Sequence, residues 1–407
     1  MIKKLKNYDW KRIDFITLII VFILSNFGAF TLKLAGQNKV IDGVNQGMSY
    51  MKSQYMGIAL GFFIIIILTF VDYHFICQFA LFYYVFGIIL TLLTRSPIGT
   101  DLSTEAYRWI KFGPITFQPS ELLKIIYILF IAWLVLRLQR KLTQISTIFI
   151  IIVLTLIPMF AVLTQPDLSS SLVIFFVMIV VMFTANIPYK NMGIVFGIPT
   201  PFLVAIFWYC TRSYSFTYKK LWHVYQYRRI IGWLNPTDAQ FTDINYQQLH
   251  SVSAIASGGL YGKYLTDSGE DATRLYNSVG VNESDFIWSV IGEEFGFLGS
   301  LLVIILFALL VIRCFRIAHN ASDFQGKIIA MGIGAMFMFQ VFTNISVSSF
   351  IFPNTGLPLP FISQGLSSMI SSMIAIGLLI NISIQPAKSS KGGLKLKAQN
   401  VGMDYDY

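Results

Sequence analysis

Apolar residues run along this chain in long blocks separated by short polar stretches. Blocks of about twenty residues recur from end to end, enough to cross a hydrocarbon core of roughly 30 Å as helix. The polar face that a soluble helix shows at helical period is mostly missing from them. The pattern predicts spans at 13–32, 56–71, 79–93, 121–136, 145–163, 169–187, 192–209, 286–312, 328–346 and 367–384. The expected fold is all-α: a polytopic integral membrane protein of about ten transmembrane helices, with one large polar loop between the seventh and eighth. No internal repeat or separate soluble domain interrupts it. Residues 1–386 make one membrane domain, and 387–407 a basic tail expected to be disordered.

Composition agrees with this reading. The chain has 407 residues, is 55% hydrophobic and 12% charged, and has a mean hydropathy of +0.66. The first apolar block follows "MIKKLKNYDWKR". It is too long for a signal-peptide core and no small-residue cleavage site follows, so it reads as an uncleaved first span. Cys77, Cys210 and Cys314 are odd in number, make no disulfide framework and read as thiols. His223 and His250 stand alone, without metal-ligand spacing. No Gly-x-x-x-x-Gly-Lys-Ser/Thr loop for a nucleotide phosphate occurs.

Charge orients the spans. Lys3, Lys4, Lys6, Lys11 and Arg12 precede the first, and Arg137, Arg140 and Lys141 follow the fourth. Arg313, Arg316 and Lys327 join the eighth and ninth, and Lys388, Lys391, Lys395 and Lys397 close the chain. Short-loop cations stay inside. With an even number of spans all of these share one side, so both termini are cytosolic and the large loop is extracellular. The formal net charge of +10 mostly reflects them. The large loop is cationic as well, which long loops are free to be. Its stretch "YKKLWHVYQYRRIIGWLNP" interleaves cations with aromatics. That suits an amphipathic helix on anionic membrane lipid. It equally suits a site for an anionic headgroup such as a pyrophosphate, whose oxygens match guanidinium forks. Nucleic acid is no partner for an outer membrane face.

Several charged residues sit where lipid makes them costly. "VNESDFIWSVIGEEFG" puts Asp285 at the mouth of the eighth span, with Glu293 and Glu294 about 12 Å deeper. Asp285 suits a helix N-cap or a functional acid. Glu293 and Glu294 line a wet cavity or pair with cations of neighbouring helices. Glu121 and Lys124 share one helix face, as part of a site or as a local pair with the lysine snorkelling outward. Arg108 beside Trp109 suits a headgroup contact or an interfacial anchor. Asp167 suits a cap for the sixth span. Gly258, Gly259 and Gly262, just ahead of Lys263, allow a tight turn or close approach to a ligand. Pro353, Pro358 and Pro360 exclude a continuous helix before the last span, so that segment is re-entrant or lines a cavity.

Five segments then stand out in order: "YRWIKFGPITFQPSELLK", "TQPDLSSSLV", "YQQLHSVSAIASGGLYGKYL", "ESDFIWSVIGEEFGFLG" and "FPNTGLPLPFISQGLSS". In sequence and spacing the chain resembles, over nearly its whole length, the SEDS family (shape, elongation, division and sporulation) that includes RodA, FtsW and SpoVE. The resemblance implies a ten-span enzyme of the bacterial cytoplasmic membrane. It implies a peptidoglycan glycosyltransferase that polymerises lipid II into glycan strands at the outer face, in elongation or division. It also implies a class B penicillin-binding protein as the cross-linking partner. By the same resemblance Asp285 is the catalytic acid, Glu121 and Lys124 carry function, and Arg229, unlike Arg228, matches the family's arginine ahead of "LNP". Arg108, Glu121, Lys124, Arg229 and Lys263 are the expected substrate contacts.

The chemistry fits those residue types. Lipid II holds its sugar on a polyprenyl pyrophosphate through an α linkage, and the polymer bond is β. One inverting displacement needs a base on the acceptor hydroxyl and charge stabilisation on the departing pyrophosphate. A carboxylate near the outer headgroups serves as that base, or holds a divalent cation on the pyrophosphate. No further cofactor is implied. A lipid II flippase is the rival reading and would need matched groups at both faces; a non-catalytic scaffold would use the outer loops only for docking. The outward clustering of charged motifs favours polymerisation. The chain departs from the family at Ser169, where glycine is usual, and at Gln364 and Leu366, where relatives carry tyrosine and a second glycine. It also lacks the His-Thr or His-Asn pair before Asp285. These changes bear on subfamily and partner choice.

Overall fold

A computed structural model of the chain describes residues 8–41, 44–96, 99–100, 108–112, 115–165, 167–197, 200–201, 224–267 and 273–386. In chain order its helices are α1 (Phe15–Ala35), α2 (Gln46–Phe70), α3 (Tyr73–Gln78), α4 (Ala80–Leu93), α5 (Pro119–Arg137), α6 (Ile145–Leu163) and α7 (Leu168–Thr184). Then follow α8 (Tyr189–Gly197), α9 (Val224–Leu234), α10 (Thr242–Ser257), α11 (Lys263–Thr266), α12 (Ile287–His319), α13 (Phe324–Ser348) and α14 (Leu366–Ser383). Among the described residues α1, α2, α5, α6, α12, α13 and α14 are long and apolar enough to span a membrane, and α4 and α7 are shorter apolar helices. These nine coincide with nine of the ten expected spans. For the seventh, α8 covers the start, and most of 198–209 lies outside the described residues, as do Cys210, His223 and the tail 387–407.

Local chemistry sets the starts. The side chains of Asp14, Asn45, Asp167 and Asp323 accept backbone N–H bonds in the first turns of α1, α2, α7 and α13, as short polar caps do. Pro119 opens α5, where its missing N–H is not needed. The bundle has an inside and an outside. α5 and α14 are the most buried of the long apolar helices, with α13 next, whereas α2 and the later part of α12 lie mostly at the surface. The outer helices present Phe63, Ile66, Phe149, Phe160 and Leu302 outward. The inner ones hide polar side chains: Gln340, Thr343 and Asn344 on α13, and Ser367, Ser368, Ser371 and Ser372 on α14. Small and polar residues suit helix interfaces in lipid, where apolar surface alone gives no reason to associate.

Two small antiparallel sheets decorate one end. β1 (Val40–Ile41) pairs with β2 (Val44–Asn45), and β4 (Trp109–Phe112) lies between β3 (Gly99–Thr100) and β5 (Ile115–Phe117), with Ile110 opposite both Gly99 and Phe117. At the other end the chain's first and last described segments meet. The Asp9 N–H donates to the Ile384 carbonyl at 2.9 Å, and Arg12 reaches the carbonyls of Gln385 and Asn320 at 2.7 and 2.8 Å. Arg313 forks onto Asp14 at 2.7 and 2.9 Å. Beside them His74 sits between Asp72 and Asp323, 2.7 and 2.6 Å from its two ring nitrogens.

α12 is broken, and the break has a partner. Gly296 adopts φ 63°, ψ −161° inside the helix. The turn after α10 repairs the interrupted ladder: Phe297 and Leu298 donate their N–H groups to the carbonyls of Gly259 and Leu260 at 2.9 and 3.2 Å. A Cβ at Gly296 would lie 2.4 Å from the Gly262 nitrogen. Gly258 and Gly262 likewise admit the backbone of α12, since a Cβ on them would lie 2.0 and 2.1 Å from the Gly292 and Glu294 carbonyl oxygens.

Candidate active site

Asp285 lies two residues ahead of α12. The cap position belongs to Phe286, with no side-chain cap bond, so the helix gives Asp285 no capping role. Its backbone is pinned instead. The Asn344 amide, on α13, donates to the Asp285 carbonyl at 2.9 Å and to the Leu357 carbonyl at 2.7 Å. The Asp285 carboxylate rests against Gly356. A Cβ there would be 3.0 Å from Asp285 Oδ2 and 4.0 Å from Arg108 Nη1, and the φ of +76° independently favours glycine.

Two arginines from distant segments flank this carboxylate. Arg108, just before β4, donates from Nε to the Gln165 carbonyl at 3.0 Å. Arg229, on α9, donates from Nη1 to the Asn354 carbonyl at 3.1 Å. Burial pushes the Asp285 carboxyl up, the charges of Arg108 and then Arg229 oppose that, and Asp167 and Glu283 add to it; the net direction is upward. Asp167 itself caps α7, accepting from the Ser170 N–H at 3.0 Å and hydroxyl at 2.7 Å. Glu283 pairs with Lys39 at 2.6 Å.

The other expected site residues gather in two separate places. Glu121 and Lys124 pair at 2.7 Å, with side chains only 3% and 2% exposed, so the lysine is buried and does not snorkel. Their helix start is tied to its neighbours through Gln118, whose N–H donates to Ser367 at 3.1 Å, and Ser120, which donates to Asp167 at 3.3 Å. Lys263, expected at the substrate, is bonded to Glu293 at 2.5 Å. Glu293 also accepts the N–H groups of Leu275 and Tyr276 at 2.8 and 2.7 Å, and Arg274 holds Glu294 at 2.8 Å. Of the two readings of these glutamates, the structure shows the ion pairs. The cause is the α10 turn, which seats Lys263 beside α12 about two helical turns beyond Asp285.

A cation on Asp285 would meet one carboxylate with two guanidiniums close by. Among the described residues no group of three or more His, Cys, Asp or Glu side chains gathers into a metal cluster. These side chains do not form a cation cage.

Residues 14–388 match the FtsW/RodA/SpoVE family profile, described as "Cell cycle protein". The chain belongs to the FtsW/RodA/SpoVE family. It is 31% identical to the "Probable peptidoglycan glycosyltransferase FtsW" of Trichlorobacter lovleyi, over 93% of this chain and 95% of the relative. It is 28% identical to the "Peptidoglycan glycosyltransferase MrdB" of Escherichia coli, over 92% and 94%. A chain in the solved structure "Structural coordination of polymerization and crosslinking by a peptidoglycan synthase complex" superposes with a TM-score of 0.72 at 25% identity, covering 94% of this chain and 99% of that one.

Of the departures from the FtsW/RodA/SpoVE pattern, the one at Ser169 has a structural consequence and the one at Gln364 has none. The Ser169 hydroxyl donates to the Thr355 carbonyl, adding a tie to the segment that carries Gly356. Gln364 donates its backbone N–H to the Glu283 carbonyl at 2.8 Å, a bond open to any residue but proline. Sequence reasoning missed Asn344 and Gly356. An amide inside an apolar span was the available signal for the first, and a glycine in a proline-interrupted segment for the second.

Proposed function

We propose that this chain polymerises lipid II at the outer face of the membrane, with Asp285 as the general base. It is a peptidoglycan glycosyltransferase and a multi-pass protein of the bacterial cytoplasmic membrane. The observation that carries the finer reading is the Asp285 carboxylate beside Arg108, with Arg229 also acting on it. Asp285 takes the proton of the acceptor hydroxyl as that oxygen attacks the anomeric carbon from the face opposite the pyrophosphate. The bond to the leaving oxygen breaks, and the configuration inverts. A carboxyl pushed up by burial is a stronger base than an ordinary one, which suits proton abstraction. Arg108 and Arg229 stabilise the negative charge that builds on the departing pyrophosphate. Glu121–Lys124 and the Lys263–Glu293 and Arg274–Glu294 pairs hold the helices that present these groups.

The ten-span count, both termini in the cytosol, and a class B penicillin-binding protein as cross-linking partner belong to the same proposal. They are supported by the cation pattern and by the likeness to a chain of a polymerising and cross-linking complex. The test uses purified full-length chain in detergent with labelled lipid II, read for glycan polymer with and without the transpeptidase. Wild type should make polymer, and Asp285→Ala should make none while keeping its melting temperature. Wild-type rates in that variant would remove Asp285 from the mechanism.

A further inference from the structure

We propose that the Asn354–Thr355–Gly356 turn is a subsite that accepts hydrogen bonds from hydroxyl or amide N–H groups of the sugar, an inference that rests on the glycosyltransferase reading above. The turn belongs to the non-helical segment between α13 and α14. Within it the Leu359 carbonyl accepts from the Ile362 and Ser363 N–H groups, and side chains of other elements bond several of its other carbonyls. Gln248 donates to the Phe352 carbonyl, Arg229 to Asn354, Ser169 to Thr355, Asn344 to Leu357 and Gln54 to Phe361. Ser363 is bonded twice over, accepting from the Leu359 N–H and donating to the Ser284 carbonyl.

Against this saturation two side-chain oxygens stand out. Asn354 Oδ1 and Thr355 Oγ1 are buried and have no hydrogen-bond partner, in residues only 7% and 8% exposed. A buried acceptor left without a donor is destabilising, so two in succession need a reason. Their place supplies one. They directly precede Gly356, which touches both Asp285 and the reach of Arg108. Their own carbonyls are already held by α9 and α7, so the turn is fixed before any ligand arrives. Arg108 and Arg229 offer donors, which suit phosphate oxygens. A pyranose with free hydroxyls and an acetamido N–H needs acceptors as well, and these two oxygens supply them in the residues that lead into Gly356, which lies against the carboxylate. A site built this way rejects ligands that lack the matching donor, because its acceptors then stay unpaired.

The test is equilibrium binding to the full-length chain in detergent, by fluorescence anisotropy. The probes are labelled lipid II, a labelled lipid-linked glycan strand, and labelled polyprenyl pyrophosphate without sugar. Thr355→Val replaces the hydroxyl by a methyl of similar size. It should weaken a sugar-bearing probe about tenfold, the size of one hydrogen bond, and leave polyprenyl pyrophosphate unchanged. Loss on lipid II alone, or on the glycan strand alone, tells which of the two sugar-bearing substrates sits at the turn. Thr355→Ser should bind like wild type, and Thr355→Ala, which also lacks the hydroxyl, repeats the comparison should the valine variant melt early. Unchanged binding of both sugar probes, or equal weakening of all three probes, would overturn the subsite. Failure of the glycosyltransferase reading shows elsewhere, as absence of polymer from wild type.

Discussion

At the scale of single residues, the site is a competition between burial and two guanidiniums over one carboxyl. Burial raises the Asp285 carboxyl, and Arg108, then Arg229, pull it back. A base works only when deprotonated, so activity should rise with pH through that raised value. The acid limb of kcat/KM is therefore expected above the ordinary aspartate range near about 4. Arg108→Gln removes the larger opposing charge and should move the limb to higher pH; Arg229→Gln should move it in the same direction by less. Measured pH–rate profiles with an ordinary carboxylate limb, unmoved by either change, would count against Asp285 as the titrating base. Asn344 ties the Asp285 backbone to the segment bearing Gly356 through a single amide.

The hairpin of α10 and α11 against the broken α12 is the unit that matters at the scale of elements. Its turn completes the ladder that Gly296 interrupts, its Lys263 pairs with Glu293 deep in the helix, and Arg274, beyond the hairpin, pairs with Glu294. Glu293 has a side-chain exposure of 0%, so Glu293→Gln leaves the Lys263 ammonium facing a neutral amide. Removing one partner of a buried pair costs about 3–5 kcal/mol. The variant should melt markedly earlier in detergent, with polymerisation per folded molecule unchanged. Pairing it with Lys263→Met should recover part of the loss, since no unpaired charge then remains. Abolished activity at an unchanged melting temperature would instead make Glu293 part of the chemistry.

At the scale of the whole molecule, polar groups collect at two ends with the apolar bundle between. One end ties residues 9–14 to 384–385 and to the loop at Asn320–Asp323. The other holds Asp285, both arginines and the segment between α13 and α14. In the proposed orientation, which follows from the short-loop cations, the first end lies in the cytosol. Single cysteines in a background without Cys77, Cys210 and Cys314 should bear this out. Leu265→Cys, at a position 74% exposed, should react with an impermeant maleimide from outside intact cells, and Arg140→Cys only after permeabilisation. Labelling in the reverse order would invert the orientation and put the site on the wrong face for a polymer made outside.

The amino-acid sequence alone determined the spans that can be seen, the cationic asymmetry of their loops, and the motif order that marks the family. These are properties of neighbours along the chain: a block long enough for a bilayer is visible wherever it begins, and nine blocks became helices close to their expected bounds. It also marked Asp285, Arg108 and Arg229 as site residues, through motifs rather than contacts. Tertiary structure alone decided which charge meets which. Glu293 and Glu294 were equally suited to a wet cavity or to ion pairs, and the turn that delivers Lys263 chose the pairs. Asp167 and Asp285 both stand near the start of an apolar helix, yet only Asp167 caps one. The segment around Gly356 was legible as non-helical, but not the side chains from α2, α7, α9, α10 and α13 that hold its carbonyls. Those donors lie far from it along the chain, and local periodicity carries no record of which distant side chain will fill a given hydrogen bond.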